Sequence, residues 1–263
     1  MNKKALAVIS FGTTYPQAQE AILHMESALA HHVPNHDCYR AFTSKMVIAK
    51  LKREQGQTVL TPEELLEQLA QQGYTEILCQ PLHIINGFEY EKMCRALNAY
   101  ANLFEQIKIG KPLLTHESDY RTCCQIIKQY APPQQMQDAL ALMGHGTEHF
   151  ANASYCQLEN MFRALGHERV YVGTVEGFPD LNYVMGRLKQ HNVTRVHLMP
   201  FMIVAGDHAQ NDMAGPEPDS WKCTLEQAGF SVTVQLDGLG MFPETGALFA
   251  THLDSAQPLC THN

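Results

Sequence analysis

The amino-acid sequence predicts an α/β protein of two similar halves, each a four-stranded parallel sheet flanked by helices. Three observations carry this expectation. Short apolar runs alternate with helical stretches, which is the pattern of parallel strand–helix units. Four of those runs lie on each side of Ala131-Pro132-Pro133-Gln134-Gln135, a rigid polar stretch that continues neither a helix nor a sheet ladder. Segments on the two sides also read alike. The expected halves are residues 1–130 and 136–263, the second carrying the candidate metal ligands.

In chain order, the runs read as strands are 5–11, 39–43, 76–85 and 107–114, then 139–143, 170–174, 195–204 and 231–236. Met1-Asn2-Lys3-Lys4 followed by Ala5-Leu6-Ala7-Val8-Ile9 has the charged-then-apolar layout of a signal peptide. The apolar run is too short and no small-residue cleavage site follows, so it reads as a buried first strand with no targeting segment. Thr61-Pro62-Glu63-Glu64 starts a helix with a Thr cap, Pro at the first helical position and carboxylates in the first turn, and Gly73 stops it. The internal likeness places Phe11-Gly12-Thr13 on His145-Gly146-Thr147, a shift of 134 positions. It places the stretch from Pro81 to Glu89 on that from Pro200 to His208, a shift of 119.

Composition narrows the class. The 263 residues are 45% hydrophobic and 17% charged, enough to bury a core, and no apolar stretch approaches the ~20 residues of a membrane helix. With 19 basic and 27 acidic residues the net charge is −8, which repels nucleic acid and makes it an unexpected partner. The 14 histidines hint at metal chemistry. Eight cysteines at positions 38, 79, 94, 123, 124, 156, 223 and 260 form no C-x-x-C pair, so reduced thiols in a cytoplasmic protein are expected.

In a parallel sheet every strand-to-helix turn falls on one carboxyl edge, where open α/β folds bind ligands. His145 follows the fifth run, Glu176 the sixth and His208 the seventh. Their separations of 31 and 32 residues match the ~30 residues of one strand–helix unit, so all three should share one rim. Two imidazoles and a carboxylate suit Co2+, Ni2+, Zn2+ or Fe2+, and three protein ligands leave coordination positions free for chemistry. Each residue also has a plainer reading: His145 as a helix cap, Glu176 as a charge at a helix N-terminus, His208 as a solvent-facing neighbour of Asp207. His149 is expected beside the site or on the surface, and His31, His32 and His36 at the end of an exposed helix. No G-x-x-x-x-G-K-[ST] loop or G-x-S-x-G elbow occurs, and Gly238-Leu239-Gly240 lacks the third glycine of a dinucleotide fingerprint, so neither ATP nor NAD is expected.

Five stretches carry a family resemblance over nearly the whole chain. They are Ile9-Ser10-Phe11-Gly12-Thr13, Arg40-Ala41-Phe42-Thr43-Ser44, Leu82-His83-Ile84-Ile85-Asn86-Gly87-Phe88-Glu89-Tyr90-Glu91-Lys92, Met143-Gly144-His145-Gly146, and His197-Leu198-Met199-Pro200 through Ala205-Gly206-Asp207-His208-Ala209 to Asn211-Asp212-Met213. With these the chain resembles the CbiK-type anaerobic sirohydrochlorin cobaltochelatases, class II tetrapyrrole chelatases. The resemblance implies two α/β halves facing a central cleft and ATP-independent insertion of Co2+ into sirohydrochlorin, in the oxygen-independent branch of cobalamin synthesis. It implies His145, Glu176 and His208 as metal ligands, His145 also as proton acceptor, and Glu89 as a cleft carboxylate. Beside Glu176, Gly177-Phe178-Pro179 stands where a relative has Ser-Tyr-Pro.

Metal insertion requires two pyrrole N–H protons to leave. A neutral imidazole, with an ordinary pKa near 6.5, can both hold a metal and accept a proton, and Glu89 can relay one away. Phe11 and Phe88 are candidate apolar contacts for the macrocycle, or ordinary core residues; Gly12 and Thr13 complete the first matching motif. The substrate's carboxylates need local cations, for which Arg40, Lys45 and Lys92 are candidates. The expected partners are sirohydrochlorin and a divalent metal ion, with no further cofactor, no nucleic acid and no membrane; homo-oligomerisation is open. An iron or nickel chelatase of the same fold, and a non-catalytic tetrapyrrole or metal carrier, remain alternatives.

Overall fold

The computed structural model describes residues 2–133 and 135–259. Met1, Gln134 of the proline-rich stretch, and residues 260–263 with Cys260 lie outside the described residues. The chain divides into two compact units, Met1–Thr115 with Pro243–Asn263, and His116–Phe242.

In the first unit the order is β1 (Lys4–Ser10), α1 (Pro16–His32), β2 (Asp37–Phe42), α2 (Lys45–Gln55), α3 (Pro62–Gln71), β3 (Glu76–Pro81), α4 (Phe88–Ala99) and β4 (Gln106–Ile109). In the second it is α5 (Glu117–Tyr130), β5 (Asp138–Gly146), α6 (Ala153–Ala164), β6 (Val170–Glu176), α7 (Leu181–Gln190), β7 (Arg195–Pro200), α8 (Trp221–Gln227) and β8 (Ser231–Val234). Helix α9 (Pro243–Asp254) and the short β9 (Gln257–Pro258) belong to the first unit again. Each sheet has the same order, β2-β1-β3-β4 and β6-β5-β7-β8, with every one of these strands parallel to its neighbours.

Two expectations need correction. The first sheet has a fifth strand, since β9 adds antiparallel to the edge of β4. The units also do not divide at the proline-rich stretch into 1–130 and 136–263. Helix α5 precedes those prolines, yet it buries Tyr120, Cys123, Cys124, Ile126 and Ile127 and packs on α6, so it belongs to the second unit. Helix α9 packs on α1 and so belongs to the first. A proline pair ends a helix, but the helix's buried face decides which core it joins.

All eight expected strands form, with shifted ends. Strands β3 and β7 stop at Pro81 and Pro200, because proline offers the ladder no N–H. The apolar residue just beyond each proline still gives the ladder one last bond: Leu82 N–H donates to Ile9 O at 2.7 Å, and Phe201 N–H to Met143 O at 2.8 Å. These two bonds occupy equivalent places under the 134- and 119-residue shifts. So do Thr75 N–H to Lys3 O and Thr194 N–H to Gln137 O, both 2.9–3.0 Å, which open β3 and β7. The likeness of the halves therefore extends to individual backbone hydrogen bonds.

The central strands β1 and β5 are buried on both faces, as parallel sheets covered by helices require. Around β1 the core gathers Ala5, Ile9, Leu65, Leu69, Met93 and Leu97; around β5 it gathers Ala139, Met143, Val184, Leu188, Trp221 and Leu225. Thr61 and Glu64 close the expected capping box on α3. Buried Glu159 pairs with Arg163 and Arg187 and accepts the Val172 N–H at 2.8 Å, which ties α6 and α7 to β6. The seven described cysteines are free thiols, and burial pushes that of Cys124 up to about 12. Among the described residues no helix is long and apolar enough to cross a membrane.

Candidate active site

In each sheet the chain reverses its direction of winding beside the central strand, and at such a switch point open α/β folds place ligands beyond the carboxyl ends of the strands. In the second unit His145 is the penultimate residue of β5 and Glu176 the last of β6, and Gly146, which closes β5, pairs with Glu176. Both were expected in the turns beyond. The ladder runs further because Gly146, at φ +82°, has no side chain: a Cβ there would lie 1.7 Å from Glu176 O. His208 stands in the first helical turn after β7, directly ahead of a π-helical turn, Ala209–Met213. The three predicted residues thus share one rim.

One donor atom from each of His145, Glu176 and His208 lies within 4.8 Å of the other two. The two Nε2 atoms are 3.2 Å apart, and His145 Nδ1 is 3.9 Å from Glu176 Oε2. Two imidazole nitrogens on one tetrahedral metal at ~2.05 Å would be about 3.3 Å apart, so the imidazole pair already has ligand spacing. Outer hydrogen bonds set both tautomers. His145 Nδ1–H donates to Gly146 O at 2.9 Å, and His208 Nδ1 meets Asp212 Oδ2 at 2.5 Å. Both Nε2 lone pairs are left to face the shared space. The side chains of His145, Glu176 and His208 are 45%, 60% and 29% exposed, which leaves the centre open to an incoming molecule.

Asp212 was not singled out from sequence, although its place four residues after His208 in a helical stretch was a usable signal. Tyr155 had no signal. It is buried against Gly144, where a Cβ would come within 2.3 Å of its ring, and it wedges beneath the strand end carrying His145. Burial pushes its phenol up to about 12, with the backbone at Gly146 and His145 acting in the opposite direction. His149 lies neither at the surface nor among the donors. It is buried, and its Nδ1 accepts the Ala151 N–H at 3.0 Å, capping the short 3-10 turn Phe150–Asn152.

The first unit presents a different set at its own carboxyl edge. Phe11 and Phe88 are 44% and 53% exposed, so neither is a core residue. Gly12, at φ +93°, and buried Thr13, whose Oγ1 accepts the Tyr15 N–H at 3.2 Å, shape the turn that presents Phe11. Thr13 offers the surface nothing itself. Glu89 sits in the first turn of α4 with Lys92 Nζ 3.8 Å from its Oε1. Its buried Oε2, and both ring nitrogens of His83, have no hydrogen-bond partner among the described residues. Burial pushes the His83 imidazole down to about 4, while Glu89 nearby works the other way. His83 lay unremarked inside a recognised motif. Of the candidate cations, Arg40 is already held by two 2.6 Å bonds to Glu26, whereas Lys45 and Lys92 are exposed. At the end of α1, exposed His31 and His32 behave as expected, with His32 Nε2 2.8 Å from Asp254.

Known proteins resemble this chain along its whole length. Residues 4–257 match the family model described as Cobalt chelatase (CbiK). The sirohydrochlorin cobaltochelatase of Salmonella typhimurium is 43% identical over 255 residues, covering 97% of this chain and 96% of that protein. The sirohydrochlorin cobaltochelatase CbiKC of Nitratidesulfovibrio vulgaris is 30% identical over 261 residues, covering 97% and 91%. Among solved structures, SirB from Bacillus subtilis with Fe3+ matches at TM-score 0.64 with 18% identity, covering 96% of this chain and 95% of that one. CbiX, the terminal enzyme of siroheme biosynthesis in denitrifying bacteria, matches at TM-score 0.57 with 16% identity, covering 95% and 98%. These two likenesses concern the fold, which is that of the chelatases.

Proposed function

Because this chain belongs to the cobalt chelatase (CbiK) family, we propose that it inserts Co2+ into sirohydrochlorin, without ATP, as a cytoplasmic enzyme of tetrapyrrole and cobalamin synthesis. The observation that carries the reading onto this chain's own residues is the imidazole pair, 3.2 Å apart with both Nε2 lone pairs turned to one space. His145, Glu176 and His208 receive the metal, which is a substrate here and must leave again. An exposed three-donor rim serves that purpose better than a closed four-ligand cage. Coordination positions not filled by protein are available to the ring nitrogens.

For each Co2+ that enters the ring, two pyrrole protons leave. His145, once its lone pair is released from the metal, accepts one, and Glu89 accepts the other. Phe11 and Phe88 supply apolar contact to the macrocycle, and the exposed Lys45 and Lys92 meet its carboxylates. Gly12 and Thr13 act through the turn that holds Phe11 outward.

Anaerobic visible absorption of excess sirohydrochlorin with Co2+, catalytic amounts of protein and a no-protein control tests this. Accelerated conversion over many turnovers is the expected result. A change that stops at one ring per chain would mean a carrier. Parallel runs with Fe2+ and Ni2+ rank the metals, and faster turnover with either would replace cobalt in the assignment.

A further inference from the structure

We propose that Asn152 is a positioning residue that holds the backbone carrying His145 and the backbone carrying Glu176 at the separation Co2+ binding requires. The inference rests on the metal site proposed above and names what fixes its dimensions. Asn152 Oδ1 accepts the Thr147 N–H at 3.0 Å, and its Nδ2 donates to Phe178 O at 2.5 Å. Thr147 lies two residues beyond His145, and Phe178 two residues beyond Glu176. One primary amide therefore joins the two segments at matching distances past the two donors.

The ladder between β5 and β6 ends at Gly146 and Glu176, so Asn152 continues the lateral tie where strand pairing stops. The segments it joins are packed backbone on backbone. A Cβ at Gly177, where φ is +101°, would come within 3.0 Å of Thr147 O and 3.4 Å of Asn152 Nδ2. Asn152 is itself fixed, since its N–H donates to His149 O at 2.9 Å within the 3-10 turn that the His149 imidazole caps. His145 and Glu176 are half exposed, so their spacing depends largely on the backbone beneath. The tie needs a donor and an acceptor on one short side chain. Alanine has neither, and serine cannot span both partners.

The test titrates Co2+ into the metal-free full chain and follows its visible ligand-field bands. Insertion kinetics are measured alongside, with KM for Co2+ and kcat read separately. For Asn152→Ala we expect Co2+ affinity to fall about 10- to 100-fold, the range for residues that orient metal ligands, with shifted bands and a rise in KM that exceeds any fall in kcat. Glu176→Gln should weaken Co2+ binding less in the Asn152→Ala background than in wild type, because its donor is already displaced. Should Asn152→Ala fail to fold, Asn152→Ser keeps an acceptor for Thr147 and carries the same comparison with a smaller effect. A folded variant with wild-type affinity, bands and coupling to Glu176 overturns the positioning role. Wild-type protein that neither binds nor inserts Co2+ overturns the site reading itself, and that outcome is seen before any variant is made.

Discussion

After β1, Gly12 turns the chain at φ +93° and Thr13 Oγ1 accepts the N–H two residues on, from Tyr15. At the end of β5, Gly146 turns it at φ +82° and Thr147 Oγ1 accepts the N–H two residues on, from His149. The backbones match, yet the residue ahead of the glycine is Phe11 in one unit and His145 in the other. The next crossing repeats the contrast. In the first helical turn after β3 stands Glu89, and in that after β7 stands His208. The shared scaffold presents side chains at two matching places, and the substitutions there separate two kinds of chemistry. One unit offers an apolar ring and a carboxylate that can accept a proton; the other gathers the donor atoms of His145, Glu176 and His208 within 4.8 Å of one another. Supporting residues diverge as well. His208 is oriented by Asp212, whereas Glu89 lies beside His83, which has no hydrogen-bond partner among the described residues and whose counterpart Met202 is a half-buried apolar side chain.

The comparison breaks most completely at its central exchange. His145→Phe gives the second unit the residue of the first and should abolish cobalt insertion, while circular dichroism and thermal unfolding stay near wild type. Retained turnover would remove His145 from the site. The two glycines should differ next. Gly12→Ala strains a left-handed turn and presses the buried Phe42 side chain, at a cost of about 2–3 kcal/mol; Gly146→Ala drives a Cβ onto a backbone oxygen and should cost about 4–5 kcal/mol, both read from urea unfolding. Equal losses would mean that the two turns are held alike. Asp212→Asn removes the carboxylate that keeps the His208 proton on Nδ1 and should weaken Co2+ binding about 10- to 100-fold by titration.

The smallest expected effect concerns His83. Its folded pKa of about 4 lies below the unfolded value near 6.5, so the unfolded chain takes up the proton first as pH falls. That contribution leaves stability unaffected above pH ~6.5, lowers it progressively from there to pH ~4, and is constant below. His83→Asn should flatten this part of the profile in thermal melts at stepped pH, and an unchanged slope would place the titration elsewhere.

The eight parallel strands were legible because buried strands between helices leave a periodic apolar trace. The three rim residues were legible because equal strand–helix units convert sequence spacing into position on one edge. Less was legible where contacts come from distant sequence. The partition of α5 and α9 between the units depends on which faces they bury, and punctuation by Ala131-Pro132-Pro133 marks only where a helix stops. The exact strand ends followed Pro81, Pro200 and Gly146, residues visible in the sequence whose effect depends on the neighbouring strand. Thr13 and Arg40 carried the right chemistry for substrate contact, but one is buried in its own turn and the other is held by Glu26.

By itself the sequence determined the fold class, the internal likeness of the halves and which three donor side chains share one rim, because local periodicity and fixed unit length project directly onto a parallel sheet. Only the tertiary structure decided the 3.2 Å approach of the two imidazoles, the tautomers imposed by Gly146 O and Asp212, the wedge of Tyr155 and the tie made by Asn152. Distances of that kind arise from packing between segments far apart in the chain, and no spacing along a single strand of sequence encodes them.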